Sequence, residues 1–148
     1  MMKKVLFLLI TVSVALNAFG TAQMPDKIIY KGRTYNLYSN PLEGYFERYP
    51  DRRPSECIVS TALWRGYIAT FEVKDGRLMV MDVEAERFDG EAAGISYKYE
   101  SVLDKVFPEG GDMTLDWFTG LLVIPHGKLK SYVHMGYAST SGPALIHI

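Results

Sequence analysis

The dipeptide Asp75-Gly76 limits the fold of this chain more than any other feature. It separates two runs of β-branched, aromatic and aliphatic residues, Tyr67-Ile68-Ala69-Thr70-Phe71-Glu72-Val73 and Leu78-Met79-Val80-Met81-Asp82-Val83. A two-residue Asp-Gly loop between such runs predicts a β-hairpin with a type I′ turn, because glycine accepts φ > 0 and the turn's twist matches that of the strands. Pairing outward from the turn sets Val73 against Leu78, Phe71 against Val80, Thr70 against Met81 and Ala69 against Asp82. Tyr67, Ala69, Phe71, Val73, Leu78 and Val80 then share one face, and Trp64, Ile68, Met79, Met81 and Val83 the other. A hairpin open to water on one side alternates apolar with polar, so two apolar faces predict a central hairpin covered twice, or one face lining a groove. Residues 60–83 are therefore the expected centre of the core.

The chain opens with Lys3 and Lys4, an apolar run from Val5 to Leu16, and small residues at Ala18, Gly20 and Ala22. This is the pattern of a secretory signal peptide over residues 1–22, too short in its apolar part for a membrane span of roughly 20 residues. The expected location is periplasmic or extracellular. Cys57 is the only cysteine, so no internal disulfide is available and the domain at 23–148 must be held by its core. The apolar residues Ile58 and Val59 after it predict a buried, inert thiol. Without Lys3 and Lys4, the 16 basic residues fall to 14 against 17 acidic, a net charge of −3. That balance argues against nucleic acid and anionic membrane surfaces as partners.

Along the chain, Lys31-Gly32 breaks a second alternating run and predicts another hairpin over residues 27–38. Asn40-Pro41-Leu42-Glu43 reads as a helix start, with Asn40 as N-cap and Leu42, Tyr45, Phe46 and Tyr49 facing the sheet before Pro50 ends it. The acidic, glycine-bearing residues 84–94 read as a long loop, either a solvated edge or a loose Ca²⁺ site. Ser101 with Asp104 predicts a second short helix that Pro108 stops. Residues 115–124 read as a strand, Pro125-His126-Gly127-Lys128 as the turn after it, residues 138–143 as a loop and 144–148 as a final strand. The expected architecture is α+β: a curled antiparallel sheet of about six to eight strands built from successive hairpins, with two short helices.

The segments Ser39-Asn40-Pro41-Leu42-Glu43, Thr61-Ala62-Leu63-Trp64-Arg65-Gly66-Tyr67, Asp116-Trp117-Phe118-Thr119-Gly120 and Val123-Ile124-Pro125-His126-Gly127-Lys128 carry a resemblance. As a set they resemble a family of small secreted proteins of Bacteroides-type bacteria whose function is unknown. The resemblance spans nearly the whole mature chain and implies kinship, with no activity, ligand or catalytic residue attached.

Catalytic motifs are absent from the sequence. There is no Gly-x-Ser-x-Gly elbow, no His-Glu-x-x-His and no metal-ligand spacing around His126, His134 or His147, so neither a cofactor nor a metal is expected. A carboxylate pair for glycoside cleavage can be assembled from distant strands, with Glu72, Asp82 and Asp116 as the candidates. The aromatic residues point elsewhere. Trp64 and Trp117 sit among polar residues and glycines, and Trp64, Arg65, Tyr67, Asp116 and Trp117 form the candidate ligand-binding set. Flat aromatic faces beside hydrogen-bonding groups suit sugar rings or a protein partner, while burial in a small β-rich core is the competing use of both tryptophans. The sequence thus favours a non-catalytic binding protein of the envelope or exterior over its alternative, a small hydrolase acting on envelope or extracellular polysaccharide.

Overall fold

A computed structural model of the chain describes residues 21–55, 57, 60–90, 96–131, 137 and 139–148. Residues 1–20 of the expected signal segment and the acidic residue Glu91 lie outside them. The protein is mostly sheet with two short helices. Strands β1 (Asp26–Tyr30) and β2 (Arg33–Leu37) form one hairpin, and β3 (Ile68–Lys74) and β4 (Arg77–Asp89) the other. Both turns are of the expected kind: Lys31 and Gly32 have φ of 50° and 74°, Asp75 and Gly76 of 51° and 73°. With β5 (Ser96–Ser101) they make a five-stranded sheet of order β2-β1-β3-β4-β5.

The sheet is mixed, which corrects the expectation of antiparallel hairpins throughout. β1 and β3 run parallel, Lys27 beside Thr70 and Ile29 beside Glu72. The cause is the connection from β2 to β3. It carries helix α1 (Glu43–Arg48) and a 3₁₀ turn (Pro50–Arg52), and returns the chain on the far side of β1. A parallel neighbour needs a crossover of this length.

The central hairpin keeps the expected pairing from Val73 and Leu78 to Phe71 and Val80, and then departs from it. A β-bulge between Thr70 and Phe71 sets Thr70 against Asp82 and Ala69 against Val83, leaving Met81 as the extra residue. The bulge exchanges the faces of β4. Leu78 and Val80 before it and Val83 and Ala85 after it all bury toward the core, whereas Met81 is 43% exposed. One face is thus the main core face, packed with Ile28, Leu37, Phe46, Tyr67, Phe71, Val106 and Leu122, while Ile68 is buried on the other side at the start of β3. The opposite face carries Lys27 paired with Glu84 at 3.7 Å, beside the half-buried Thr70.

Residues 84–89 are strand rather than loop. They pair with β5 from Glu84 opposite Ser101 to Asp89 opposite Ser96, and Lys98 answers Asp89 and Glu100 at 3.7 and 2.8 Å. Asp82 accepts from Ser101 Oγ at 2.6 Å. Among the described residues, no group of three or more His, Cys, Asp or Glu could hold a metal ion. Helix α1 begins beyond Asn40 with no side-chain cap, whereas Leu103 N, at the start of α2 (Leu103–Val106), donates to the expected Ser101 Oγ at 3.5 Å, although Ser101 itself lies within β5.

Residues 115–120 are turn and loop instead of strand, since Leu115 N donates to Leu78 O and Phe118 N to Leu115 O. The strand begins at β6 (Leu121–Ser131) and pairs with β7 (Ser139–His147), so residues 139–143 are strand and not loop. The expected turn at Gly127 is a bulge inside β6, with Gly127 at φ 83°. This ribbon docks on the end of β2, where Tyr38 N donates to Val123 O and Ser39 Oγ accepts from Val123 N at 2.9 Å. Leu122 and Ile124 enter the common core from it. Cys57 is half-buried against that core, not fully buried, with Sγ 3.4 Å from Pro54 O. No described helix is long and apolar enough to cross a membrane.

The turn glycine gives a clean test of the hairpin. A Cβ at Gly76 would meet nothing within 4 Å, so only its left-handed backbone opposes a side chain. Gly76→Ala is expected to lower stability by about 1–2 kcal/mol, read from the urea unfolding midpoint.

Candidate functional site

Arg65 and Tyr67, two of the candidate ligand-binding residues, are interior. Gln23 fixes the loop that carries them, since its Nε2 donates to Thr61 O at 2.6 Å and its Oε1 accepts from Trp64 N at 3.2 Å. The Arg65 guanidinium then reaches Asp26 Oδ2 at 2.9 Å and Met24 O at 3.1 Å. Both partners of this ion pair are buried, Asp26 completely. Asp26 Oδ1 accepts from Ala69 N at 2.9 Å, so the carboxylate takes the N–H at the start of the parallel β1–β3 pair.

The chain of polar contacts continues outward. The Arg65 guanidinium lies 5.0 Å from the Tyr67 ring centre. Tyr67 Oη donates to Glu43 Oε1 at 2.6 Å, and Arg53 Nη2 donates to Glu43 Oε2 at 2.5 Å. Burial raises the Asp26 carboxyl, against the Arg65 charge that pulls it down. Burial opposes the charge on Arg65, yet attraction to Asp26 holds the guanidinium more firmly protonated than usual. Burial and the bond to Glu43 raise the Tyr67 phenol, which keeps it a donor. For Glu43, burial pushes upward, but the bonds from Arg53 and Tyr67 outweigh it and hold the carboxyl below its ordinary value. Within this network each charge is matched by a neighbour, Asp26 by Arg65 and Glu43 by Arg53. Tyr137 stands beside it, stacked on Tyr38 at 4.7 Å and donating to Asn40 Oδ1, its phenol pushed up to about 12 chiefly by burial.

The tryptophans are both out of the core. Trp64 is 58% exposed and Trp117 46% exposed. Trp64 is not among the residues that line the cleft at Trp117. Asp116, although adjacent to Trp117, pairs with Arg77 through Nη2 at 2.5 Å. The candidate set is therefore divided between a buried network, an isolated Trp64 and a surface at Trp117.

That surface is concave. Trp117 lies against α1, and Gly44, Tyr45, Arg48 and Tyr49 complete a cleft of about 270 Å³. Trp117 packs beside Gly44, where a Cβ would stand 3.5 Å from Trp117 Cζ3, an ordinary van der Waals contact. Tyr45 backs the indole with planes 20° apart, and its hydroxyl is fully used, donating to Val106 O at 3.0 Å and accepting from Arg52 Nη1 at 2.9 Å. Tyr49 closes the far side and Arg48 sits 5.9 Å from its ring. Among the described residues lining the cleft, none is a carboxylate or an imidazole. The cleft therefore offers stacking faces and one guanidinium.

The helical contribution to this site escaped sequence reasoning, which turned Tyr45 and Tyr49 alike toward the sheet. Tyr45 is buried, but Tyr49 is 38% exposed. The available signal was the spacing of Gly44, Tyr45, Arg48 and Tyr49, a single helix face that joins a small residue to two tyrosines. Comparison with protein-family models, with curated proteins and with solved structures finds no match for the chain.

Removing Arg65 strands the Asp26 charge in the core. Arg65→Met is expected to cost about 3–5 kcal/mol, and the Asp26→Asn/Arg65→Met double variant less than the sum of the two single changes, by chemical denaturation. The Glu43 pair predicts a pH dependence of defined sign. Its folded pKa is depressed, so its contribution is present above the ordinary value of 4.5 and is lost as pH falls through the folded value. Asp26, raised by burial, runs in the opposite direction. The stability gap between the wild type and Glu43→Gln isolates Glu43, and is expected to be widest at neutral pH and to shrink in acid.

Proposed function

We propose that the chain is a non-catalytic binding protein, exported by the segment at residues 1–22 to the cell envelope or exterior, and that it engages a glycan at the cleft of Tyr45, Tyr49 and Trp117. The observation that carries this reading is the half-exposed Trp117 indole, held nearly parallel to Tyr45 over Gly44. An aromatic face left in water forgoes burial free energy, and one braced on its back by a second ring is kept in a fixed pose. A pyranose ring presents C–H groups to such a face and hydroxyls around its rim, where Arg48 and the open edge of the cleft can meet them.

A protein partner would use the same aromatic surface, but a cleft of this size suits one or two sugar rings better than a flat protein face. The hydrolase alternative draws no support from the cleft. Of its three candidate acids, none lines the cleft, and two are engaged elsewhere, Asp82 with Ser101 and Asp116 with Arg77. Arg65 and Tyr67 support the reading indirectly, as the frame that holds α1 in place.

A Trp64→Phe background leaves Trp117 as the only indole. Its emission is expected to shift and saturate with at least one member of a panel of neutral and charged oligosaccharides, and Trp117→Ala is expected to abolish that binding while remaining folded. Gly44→Ala should keep or raise stability, by up to about 1 kcal/mol from helix propensity, and leave binding unchanged, because its Cβ would meet the indole at an ordinary contact distance of 3.5 Å. Absence of any shift across the panel, or equal binding by Trp117→Ala in a calorimetric titration, would overturn the proposal.

A further inference from the structure

Immediately behind the aromatic cleft lies a second, smaller pocket of about 120 Å³. Its described lining includes Arg52, Arg53, Ser55, Arg87 and Lys105, with Asp51 as the only carboxylate. Four cations from three separate parts of the chain converge there: the 3₁₀ turn and its continuation, strand β4, and helix α2. Three acids paired with the arginines stand outside the lining. Glu109 grips Arg52 by two bonds of 2.9 and 2.8 Å, Glu43 takes Arg53, and Glu100 stands 3.6 Å from Arg87.

Those pairs position the Arg52 and Arg53 guanidinium groups without exhausting them. A guanidinium carries five N–H donors. Bonds to described residues use three of them on Arg52 and two on Arg53. Glu109 is 70% exposed, so water screens its hold on Arg52. The pocket volume corresponds to about four waters of liquid, enough for a tetrahedral oxoanion with part of its hydration. Planar forks beside an ammonium and a hydroxyl are the donor set that such an anion requires.

The two concavities share a wall. Arg52 lines the cationic pocket while its guanidinium lies 5.2 Å from the Tyr49 ring and bonds the Tyr45 hydroxyl, and both tyrosines line the aromatic cleft. We infer that this pocket binds a tetrahedral oxoanion, and, resting on the glycan reading of the neighbouring cleft, that the anion is a sulfate or phosphate ester carried by the bound sugar. The aromatic cleft then selects the ring and the cationic pocket its substituent.

The test separates pocket from glycan. Inorganic sulfate and inorganic phosphate are titrated into the full chain in low-chloride buffer by calorimetry, then dextran sulfate and unsulfated dextran are compared. Saturable binding of either inorganic ion is expected, weakened about tenfold or more in Arg87→Gln/Lys105→Gln, with unchanged urea midpoint as the folding control. The single Lys105→Gln variant, at an exposed position, is expected to show a smaller loss and serves if the double variant unfolds. Dextran sulfate is expected to bind more tightly than dextran, with a preference that falls in the same variants. No saturable binding of either inorganic ion, or equal affinity in the variants, overturns the pocket whatever the polysaccharides do. Binding of the inorganic ions with no preference for dextran sulfate keeps the pocket as a free-anion site and overturns its assignment to a glycan substituent.

Discussion

The buried ion pair between Asp26 and Arg65 is the contact on which the arrangement of this protein depends. Taking two charges out of water is costly, and the cost is offset only where geometry and further hydrogen bonds are good. Here both conditions hold, with Asp26 receiving Arg65 and the Ala69 N–H, and Arg65 bonded also to Met24 O. The pair joins the strand that opens the domain to the loop that delivers the central hairpin. It sits where the parallel β1–β3 pairing begins, so it fixes which edge of β1 the hairpin docks against. An apolar pair of similar volume could fill the same space, but it would not supply an acceptor for Ala69 N or distinguish this register from its neighbours.

From that pair the order passes outward to the surface. Tyr67 under the Arg65 guanidinium donates to Glu43 in the first turn of α1, and Arg53 clamps the same carboxylate from the turn beyond the helix. A helix of six residues has little stability of its own, so its orientation is set by these contacts and by the burial of Leu42, Tyr45 and Phe46. The outward side of the same helix is the floor of the aromatic cleft. A buried electrostatic network thereby determines where Tyr45 and Tyr49 stand relative to Trp117.

What could be read from the sequence was local. Lys31-Gly32 and Asp75-Gly76 fix their turns because positive φ is a property of two adjacent residues. The bulge at Met81 belongs to the pairing of two strands, although the shift of the apolar positions from Leu78 and Val80 to Val83 and Ala85 carries its trace. The acidic run after Val83 looked like loop because charge disfavours strands in isolation, and its partners Lys98 and Ser101 lie in a segment with no strong signal of its own. The parallel β1–β3 contact and the second sheet depend on long connections that periodicity does not encode. At the site, Trp64, Arg65, Tyr67, Asp116 and Trp117 were grouped by chemistry, and folding sorted them by charge balance: Arg65 inward to Asp26, Asp116 outward to Arg77, and the indoles to the surface.

That sorting bears on how the surface could discriminate among ligands. Trp117 is held against a glycine and a tyrosine whose hydroxyl is satisfied twice, so the cleft reaches a ligand with its aromatic faces already posed and with little side-chain entropy left to lose. Arg52 belongs to both concavities, because the bond that fixes Tyr45 also fixes the guanidinium beside Tyr49. A change in one concavity must then be felt in the other. Displacing Arg52 toward an anion would loosen the Tyr45 hydroxyl, whereas an anion that accepts only its unused donors would leave the cleft intact. On the proposed reading, a surface built in this way would favour ligands that carry ring and anion at the spacing of that shared wall over those that carry either alone.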